Sequence, residues 1–343
     1  MPVARGALMG TAPTDPSDAV AIGVVIPYYQ RQPGLLARAL RSVAGQSRPP
    51  RQVVVIDDGA PRAAADELTP DLRAALPQLL VVRQANGGAA AARNAGLDAL
   101  GADVTSVAFL DSDDHWMPGH LASASAALAR GADFYFANFV REGEPLDAWR
   151  ETGYPDLSHS VAVEESPGLH RWTGGASALM TPGPPFATST VVYRRGLLPQ
   201  LRFSSRYRRA GEDAIAWWEL LVRASTILLS RQPSAVFGRG ISIWSSSTFG
   251  SPANLERLAD EIAFRRLIMR RFPVAAGDRR VFRAAIRERR AEAAASVLHL
   301  LHHRQRAWSE IGYLLRTDPA CVLHGAVALP SLTVRWLRAR SDR

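Results

Sequence analysis

The sequence predicts an α/β protein with a mostly parallel central sheet and helices on both faces, and three observations predict it. Short continuous apolar runs, the mark of strands buried on both sides, recur through the first 140 residues. Between them lie segments whose apolar residues fall at helical spacing, joined by short links. At 343 residues and 47% hydrophobic composition, the chain is long enough to bury a large core. Strand and helix in alternation require crossover connections, and these give parallel pairing.

Ala21 to Ile26 (AIGVVI) reads as a buried strand closed by Pro27, and Pro33 to Val43 carries Leu35, Leu36, Ala39, Leu40 and Val43 near helical spacing. Val53 to Ile56 (VVVI) is a second strand, ending in Asp57, Asp58 and Gly59. Leu79 to Val82 is a third; Asn86, Gly87 and Gly88 follow, then an alanine-rich helix with Arg93 and Asn94. Val104 to Leu110 is the fourth and Phe134 to Phe139 a fifth. Residues 140–187 carry scattered charge and then GGASALMTPGPPF, too rich in Gly and Pro for regular structure, and are expected to be a substrate-covering lid. Thr188 to Tyr193 reads as a strand and Gly211 to Val222 as an amphipathic helix, in which at least one of Trp217 and Trp218 belongs to the core. Helical patterns over Ala253 to Phe272 and 278–316 form an arginine-rich extension whose arginines, from Arg265 to Arg290, read as a solvated face.

Composition narrows the chemistry. The chain contains no lysine, which excludes a P-loop phosphate lysine, Schiff-base catalysis and a kinase-type lysine. Its net charge of +9 favours a polyanionic partner: nucleic acid, an anionic membrane face or a nucleotide-linked substrate. Cys321, the one cysteine, excludes an internal disulfide and fits a reducing compartment. Residues 1–19 lack the apolar centre of a signal peptide and read as a loose tail, so export is not expected. No apolar run approaches the ~20 residues that cross a bilayer.

The central motif is Val107 to Pro118, VAFLDSDDHWMP, where a core strand breaks into three carboxylates within four residues. Such a run is either an acidic turn leading into a helix or a site for a hard cation, with Asp111 and Asp113 turning oxygens to one side. In parallel sheets ligands sit beyond the carboxyl ends of the strands. Pro27, Asp57, Asp58, Gly87 and Asp111 to Asp114 should therefore line a single edge. An acidic pocket in a basic protein calls for a cation, and the cation for an anionic ligand such as a nucleotide diphosphate. Among weaker signals, His299, His302 and His303 read as surface histidines, and Gly238 with Gly240 lacks the third glycine of a dinucleotide loop.

In order and spacing, VVIPYYQR, ALRSVAGQ, VVVIDDGA, NGGAAAARNAGL, VAFLDSDDHWMPGHL and GEDAIAWWELL resemble the family 2 glycosyltransferases, the inverting group with the GT-A nucleotide-sugar fold. The resemblance spans roughly residues 20–225. It implies a donor half (20–139) and an acceptor half (140–250) of a catalytic domain at 20–250, with residues 251–343 a helical C-terminal extension. Carried over by position, it implies that Asp58 bonds the nucleotide base, with Pro27 and Tyr29 as the adjoining wall, and that Asn86, Arg93 and Asn94 border the donor. Asp111 and Asp113 become the ribose and metal carboxylates, Asp113 the direct ligand to Mn2+ or Mg2+, while Asp213, beside Glu212, becomes the general base. Ala60 and Gln30 stand where Ser and Asn are usual. Gln305, Arg306, Ala307 and Trp308 do not form the QxxRW pattern of processive members, which favours transfer of a single sugar. The implied partners are a nucleotide-sugar donor, a uridine one by family habit, and a glycan or lipid-linked acceptor. The implied place is the cytoplasm, with peripheral membrane contact through the arginines and Trp336 near the C-terminus. A nucleic-acid-binding role is disfavoured by the acidic pocket edge and the missing RNA- and DNA-binding signatures, and a nucleotidyltransferase by the missing lysine.

Overall fold

The structure, a computed structural model, describes residues 19–164, 166, 168–181, 183–238 and 247–321. Of the tail expected over residues 1–19 all but Ala19, as well as Gly240 and the C-terminal residues expected to contact a membrane, lie outside the described residues. Among the described residues ten strands form one sheet: β1 (Ile22–Tyr28), β2 (Gln52–Asp57), β3 (Leu79–Arg83), β4 (Ser106–Phe109), β5 (His115–Trp116), β6 (Phe134–Arg141), β7 (Ser160–Ala162), β8 (Leu169–Trp172), β9 (Val192–Arg194) and β10 (Ile227–Phe237). Their order across the sheet is 3-2-1-4-9-6-10-8-7, with β5 paired to β10. Pairing is parallel across β3, β2, β1 and β4 and again between β6 and β10, while β9 runs antiparallel between β4 and β6.

The buried apolar runs are the strands the sequence predicts. Val53, Val54, Val55 and Ile56 of β2 and Val24, Val25 and Ile26 of β1 are fully enclosed, as strands covered on both faces must be. The helices are α1 (Leu35–Ala44), α2 (Pro70–Ala75), α3 (Gly88–Ala99), α4 (His120–Ala129), α5 (Ala148–Thr152), α6 (Ala176–Met180), α7 (Glu212–Leu221), α8 (Pro252–Arg271), α9 (Ala276–His302) and α10 (Trp308–Thr317). Helix α3 approaches β1 so closely that a Cβ on Gly96 would stand 2.3 Å from Val25 Cγ1, which is why a glycine occupies that turn. Ser251 caps α8 through the Asn254 N–H, with Pro252 in the first turn.

Three expectations are corrected, and one strand was not foreseen. Residues 140–187 hold regular structure, namely α5, β7, β8 and α6, and β8 pairs antiparallel with β10. The segment read as one strand from Thr188 begins as a 3-10 turn over Thr188–Thr190, and only Val192–Arg194 joins the sheet. Strand β10 has no counterpart in the sequence pattern, because register shifts at Ser230, Pro233 and Ala235 break the period that would announce it. The single helical pattern over 278–316 is two helices, parted where Arg304 adopts a left-handed φ of 54°.

The two tryptophans of α7 are both core. Trp217 packs among Phe109, Phe134, Phe186 and Phe203, and Trp218 stacks on Phe272 at 5.8 Å between ring centroids. Through Ile268, Phe272, Val274 and Phe282, α8, α9 and the link between them share the core of the sheet. A second apolar cluster, with Leu255, Leu258, Ile262, Ile286 and Leu314, binds α8, α9 and α10 together. Among the described residues no helix is long and apolar enough to cross a membrane.

Candidate active site

A cavity of about 900 Å³ opens at the carboxyl ends of β1, β2 and β4, and Asp58, Asp111, Asp113 and Asp213 all line it. Pro27 and Tyr29 at the end of β1, Asn86 before α3, Arg93 within it and Glu212 at the start of α7 line it as well. Of the strand-end residues expected on one edge, Pro27, Asp58, Asp111, Ser112 and Asp113 line this cavity, whereas Asp57, Gly87 and Asp114 do not.

Each acid is placed by a different local device. Asp58 is 2% exposed and holds the turn into α3: its Oδ1 accepts from Gln84 Nε2 at 2.7 Å and the Gly87 N–H at 2.9 Å, its Oδ2 from the Gly88 N–H at 2.8 Å. Asn86 Nδ2 donates to the Asp58 carbonyl at 3.0 Å. Asp57, expected on the same edge, turns away and accepts from the Ala60 and Ala64 N–H groups at 2.9 Å each, bracing the loop. Of the acidic turn, Asp111 and Asp113 face the cavity whereas Asp114 is buried, accepting from Ser189 Oγ at 2.5 Å and the Gly238 N–H at 2.8 Å. Burial, with Asp111 and Asp113 nearby, pushes the Asp114 carboxyl well above its ordinary value. Ser189 Oγ also accepts the Asp111 N–H at 3.0 Å, so one hydroxyl fixes both ends of the turn. Gln30, at 4% exposure, reaches Ser112 Oγ from β1's end at 3.2 Å.

Arg93 is the electrostatic keystone. Its side chain, 6% exposed, donates to Asp111 Oδ1 at 3.0 Å and Glu212 Oε1 at 3.1 Å, joining the β4 turn to the start of α7. Against the burial that would lower it, these two carboxylates hold the guanidinium above its ordinary value. Asp213 accepts its neighbour's Ala214 N–H at 2.7 Å and Thr188 Oγ1 at 3.5 Å. Burial, reinforced by Glu212 and opposed by Arg93, raises the Asp213 carboxyl to about 6. Gly211, at φ 100°, makes the turn into α7, where a Cβ would stand 2.4 Å from Phe264.

Asn94 is the predicted residue that the structure removes from the site. Its amide exchanges two 2.8 Å bonds with the backbone of Phe203, and it does not line the cavity. The expectation of a solvated arginine face is corrected at two positions: Arg265 and Arg289 form part of the cavity wall, together with Arg257, Glu261, Phe264, Ile268 and Phe282. Ser189, Thr188 and this wall carry no motif and were invisible to pattern reading.

Asp111 and Asp113 offer only carboxylate oxygens, the donor set that suits a hard divalent cation with coordination positions left to water and phosphate. No group of three or more His, Cys, Asp or Glu arranged to hold a metal occurs among the described residues.

The model for glycosyl transferase family 2 matches residues 23–197, just over half of the chain. The chain is 36% identical over 238 residues to the succinoglycan biosynthesis protein ExoW of Rhizobium meliloti (strain 1021), covering 68% of this chain and 74% of that one. Among solved structures, S. aureus TarS 1-349 in complex with UDP-GlcNAc matches with a TM-score of 0.56 at 17% identity, covering 89% of this chain and 81% of that one. Against the longer S. aureus TarS structure the chain spans 43% of that chain. Mannosyltransferase PcManGT from Pyrobaculum calidifontis, in complex with GDP-Man and Mn2+, matches with a TM-score of 0.54 at 15% identity, covering 93% and 89%. These likenesses carry the GT-A fold, and the sequence match carries the family: this chain is an enzyme belonging to glycosyltransferase family 2.

Proposed function

We propose that the enzyme moves a single sugar, with inversion, from a nucleoside diphosphate sugar to a hydroxyl of a glycan or lipid-linked acceptor in the assembly of a surface polysaccharide. The observation that carries this reading is the one cavity bordered by Asp58, Asp111, Asp113 and Asp213. Its volume suits a sugar nucleotide. The similarity to ExoW, a succinoglycan biosynthesis protein, supports the pathway class, and the UDP-GlcNAc complex of TarS supports a uridine donor.

In this reading Asp58 and the wall of Pro27 and Tyr29 receive the base, and Asn86 and Arg93 border the donor. Asp213 takes the proton of the acceptor hydroxyl as its oxygen bonds the anomeric carbon and the bond from that carbon to the diphosphate breaks. A carboxyl titrating near 6 is ionised at neutral pH yet basic enough to accept that proton. Glu212 and Arg93 hold the start of α7 against the β4 turn, so that base and diphosphate site keep their spacing. A divalent cation held by Asp113 and Asp111 would supply charge neutralisation for the leaving diphosphate, and the presence of Mn2+ in the PcManGT complex supports the use of such an ion. A single displacement inverts the anomeric centre.

The test is a panel of UDP-, GDP- and dTDP-sugars incubated with the purified chain in manganese, magnesium or chelator. Cation-dependent release of one nucleoside diphosphate is expected. Failure of every donor to bind or turn over would overturn the reading.

A further inference from the structure

Beyond the acids, part of the cavity wall has another character. Arg257, Glu261 and Arg265 of α8 and Arg289 of α9 line it together with Phe264, Ile268 and Phe282. The Glu261 carboxylate, 3% exposed, is held by three guanidinium groups: Arg257, Arg265 at 3.2 Å and Arg289 at 2.7 Å. Glu292 is the second carboxylate of the group, 3.0 Å from Arg257 and 3.2 Å from Arg289. The third, Glu288, lies 3.9 Å from Arg289 and is 71% exposed. Arg265 has one carboxylate within reach among the described residues, and its buried Nε has no hydrogen-bond partner. Burial, only partly offset by Glu261, lowers its guanidinium below the ordinary value.

An ion-pair network whose purpose is to join two helices closes its own charges. Here three guanidinium groups share two enclosed carboxylates, Glu261 and Glu292, on the wall of a ligand-sized cavity, with Glu288 largely exposed, and the buried Arg265 Nε has no hydrogen-bond partner. Leaving such groups uncompensated is costly, and an incoming anion removes the cost. Guanidinium forks match the paired oxygens of phosphate and carboxylate, and the apolar flank of Phe264 and Ile268 suits the carbon skeleton that carries them.

We propose that Arg257, Arg265 and Arg289 form an oxyanion subsite for the acceptor, receiving a phosphate or carboxylate group that the acceptor carries. This rests on the transferase reading and narrows it from any glycan acceptor to an anionic one.

The test is calorimetric titration of the full chain, without divalent cation and with UDP at saturation, using inorganic phosphate, geranyl diphosphate and glucuronate as probes. Binding of at least one probe is expected. Arg265→Gln should weaken it about tenfold, the scale of one charge-assisted hydrogen bond, and Glu261→Gln should strengthen it by about threefold or more. Preference for geranyl diphosphate would identify a lipid-linked diphosphate as the source, and preference for glucuronate an acidic sugar. No binding of any probe, or affinities that neither substitution moves, would overturn the subsite. Should Arg265→Gln not fold, the wild-type and Glu261→Gln titrations decide alone, since a purely structural network predicts no gain of affinity in the latter. A parallel UDP titration separates the two hypotheses: normal UDP binding without anion binding removes only the subsite, and absent UDP binding removes the donor reading whatever the anions do.

Discussion

Asp213 is held at the first turn of a helix, beside one acid and near one buried arginine, and its titration follows from its burial first and from those neighbours second. With its carboxyl raised to about 6, kcat/KM should rise with pH and level off above about 6.5, as a base that must be ionised requires. Asp213→Asn should cut kcat at least ~100-fold with donor affinity near that of the wild type, read by steady-state kinetics beside calorimetry. The same substitution bears on stability. Between the ordinary carboxyl value and about 6 the folded chain keeps a proton that the unfolded chain releases, so stability falls as pH rises through that window. The Asn variant cannot ionise and should melt roughly 2 °C or more above wild type at pH 7.5, with the gap narrowing toward pH 4 in scanning calorimetry. Arg93 lowers the Asp213 titration and bridges Asp111 and Glu212. Arg93→Gln should therefore move the acidic limb of the pH profile upward and cost roughly 3 kcal/mol or more of stability, because two carboxylates lose a buried partner. Asp113→Ala should weaken manganese-dependent UDP binding at least tenfold, by about 1.4 kcal/mol, while cation-free UDP binding changes little.

At the scale of elements, the loop leading to the proposed base, Asp213, is held by α8, which follows it in the chain. Asp260 of α8 is fully buried, and its Oδ2 accepts the N–H groups of Arg208 at 2.8 Å and Arg209 at 2.6 Å. Those residues form the loop that runs into Gly211 and α7, and Tyr313 of α10 donates to the other oxygen of Asp260. Asp260 is thus a positioning residue, for it touches the loop and not the cavity. Asp260→Ala should lower kcat about tenfold or more while leaving UDP affinity intact, and should cost about 3 kcal/mol from lost charge-assisted bonds. Asp260→Asn, which keeps one acceptor oxygen, should recover part of the kcat. Equal losses of kcat and UDP affinity would mean general unfolding instead.

For the molecule as a whole, the arginine-rich helices are part of one core with the sheet. Phe272 and Phe282 cover Trp218 on the outer side of α7, and Ile268 and Val274 extend the same cluster. Burial of each such side chain contributes about 1.5–3 kcal/mol, against a total stability on the order of 5–15 kcal/mol. A chain truncated after residue 250 should therefore lose cooperative melting and aggregate, as light scattering and circular dichroism would register. A soluble, folded fragment that binds UDP would refute this.

The sequence alone determined the parallel half of the sheet, since strands buried on both faces must be apolar throughout, and it placed Asp58, Asp111, Asp113 and Asp213 at element ends, where ligands bind. It also announced α7 and α8 through apolar residues at helical spacing. Tertiary structure alone decided which acids face the cavity and which brace it. Asp57 and Asp58 are adjacent and chemically identical, and only the backbone N–H groups that each meets separate them. The irregular strand β10, the structural fate of Asn94 and the inward arginines of α8 and α9 were also decided there. A pattern read along the chain registers period and composition, whereas these depend on partners distant in sequence whose meeting is set by packing.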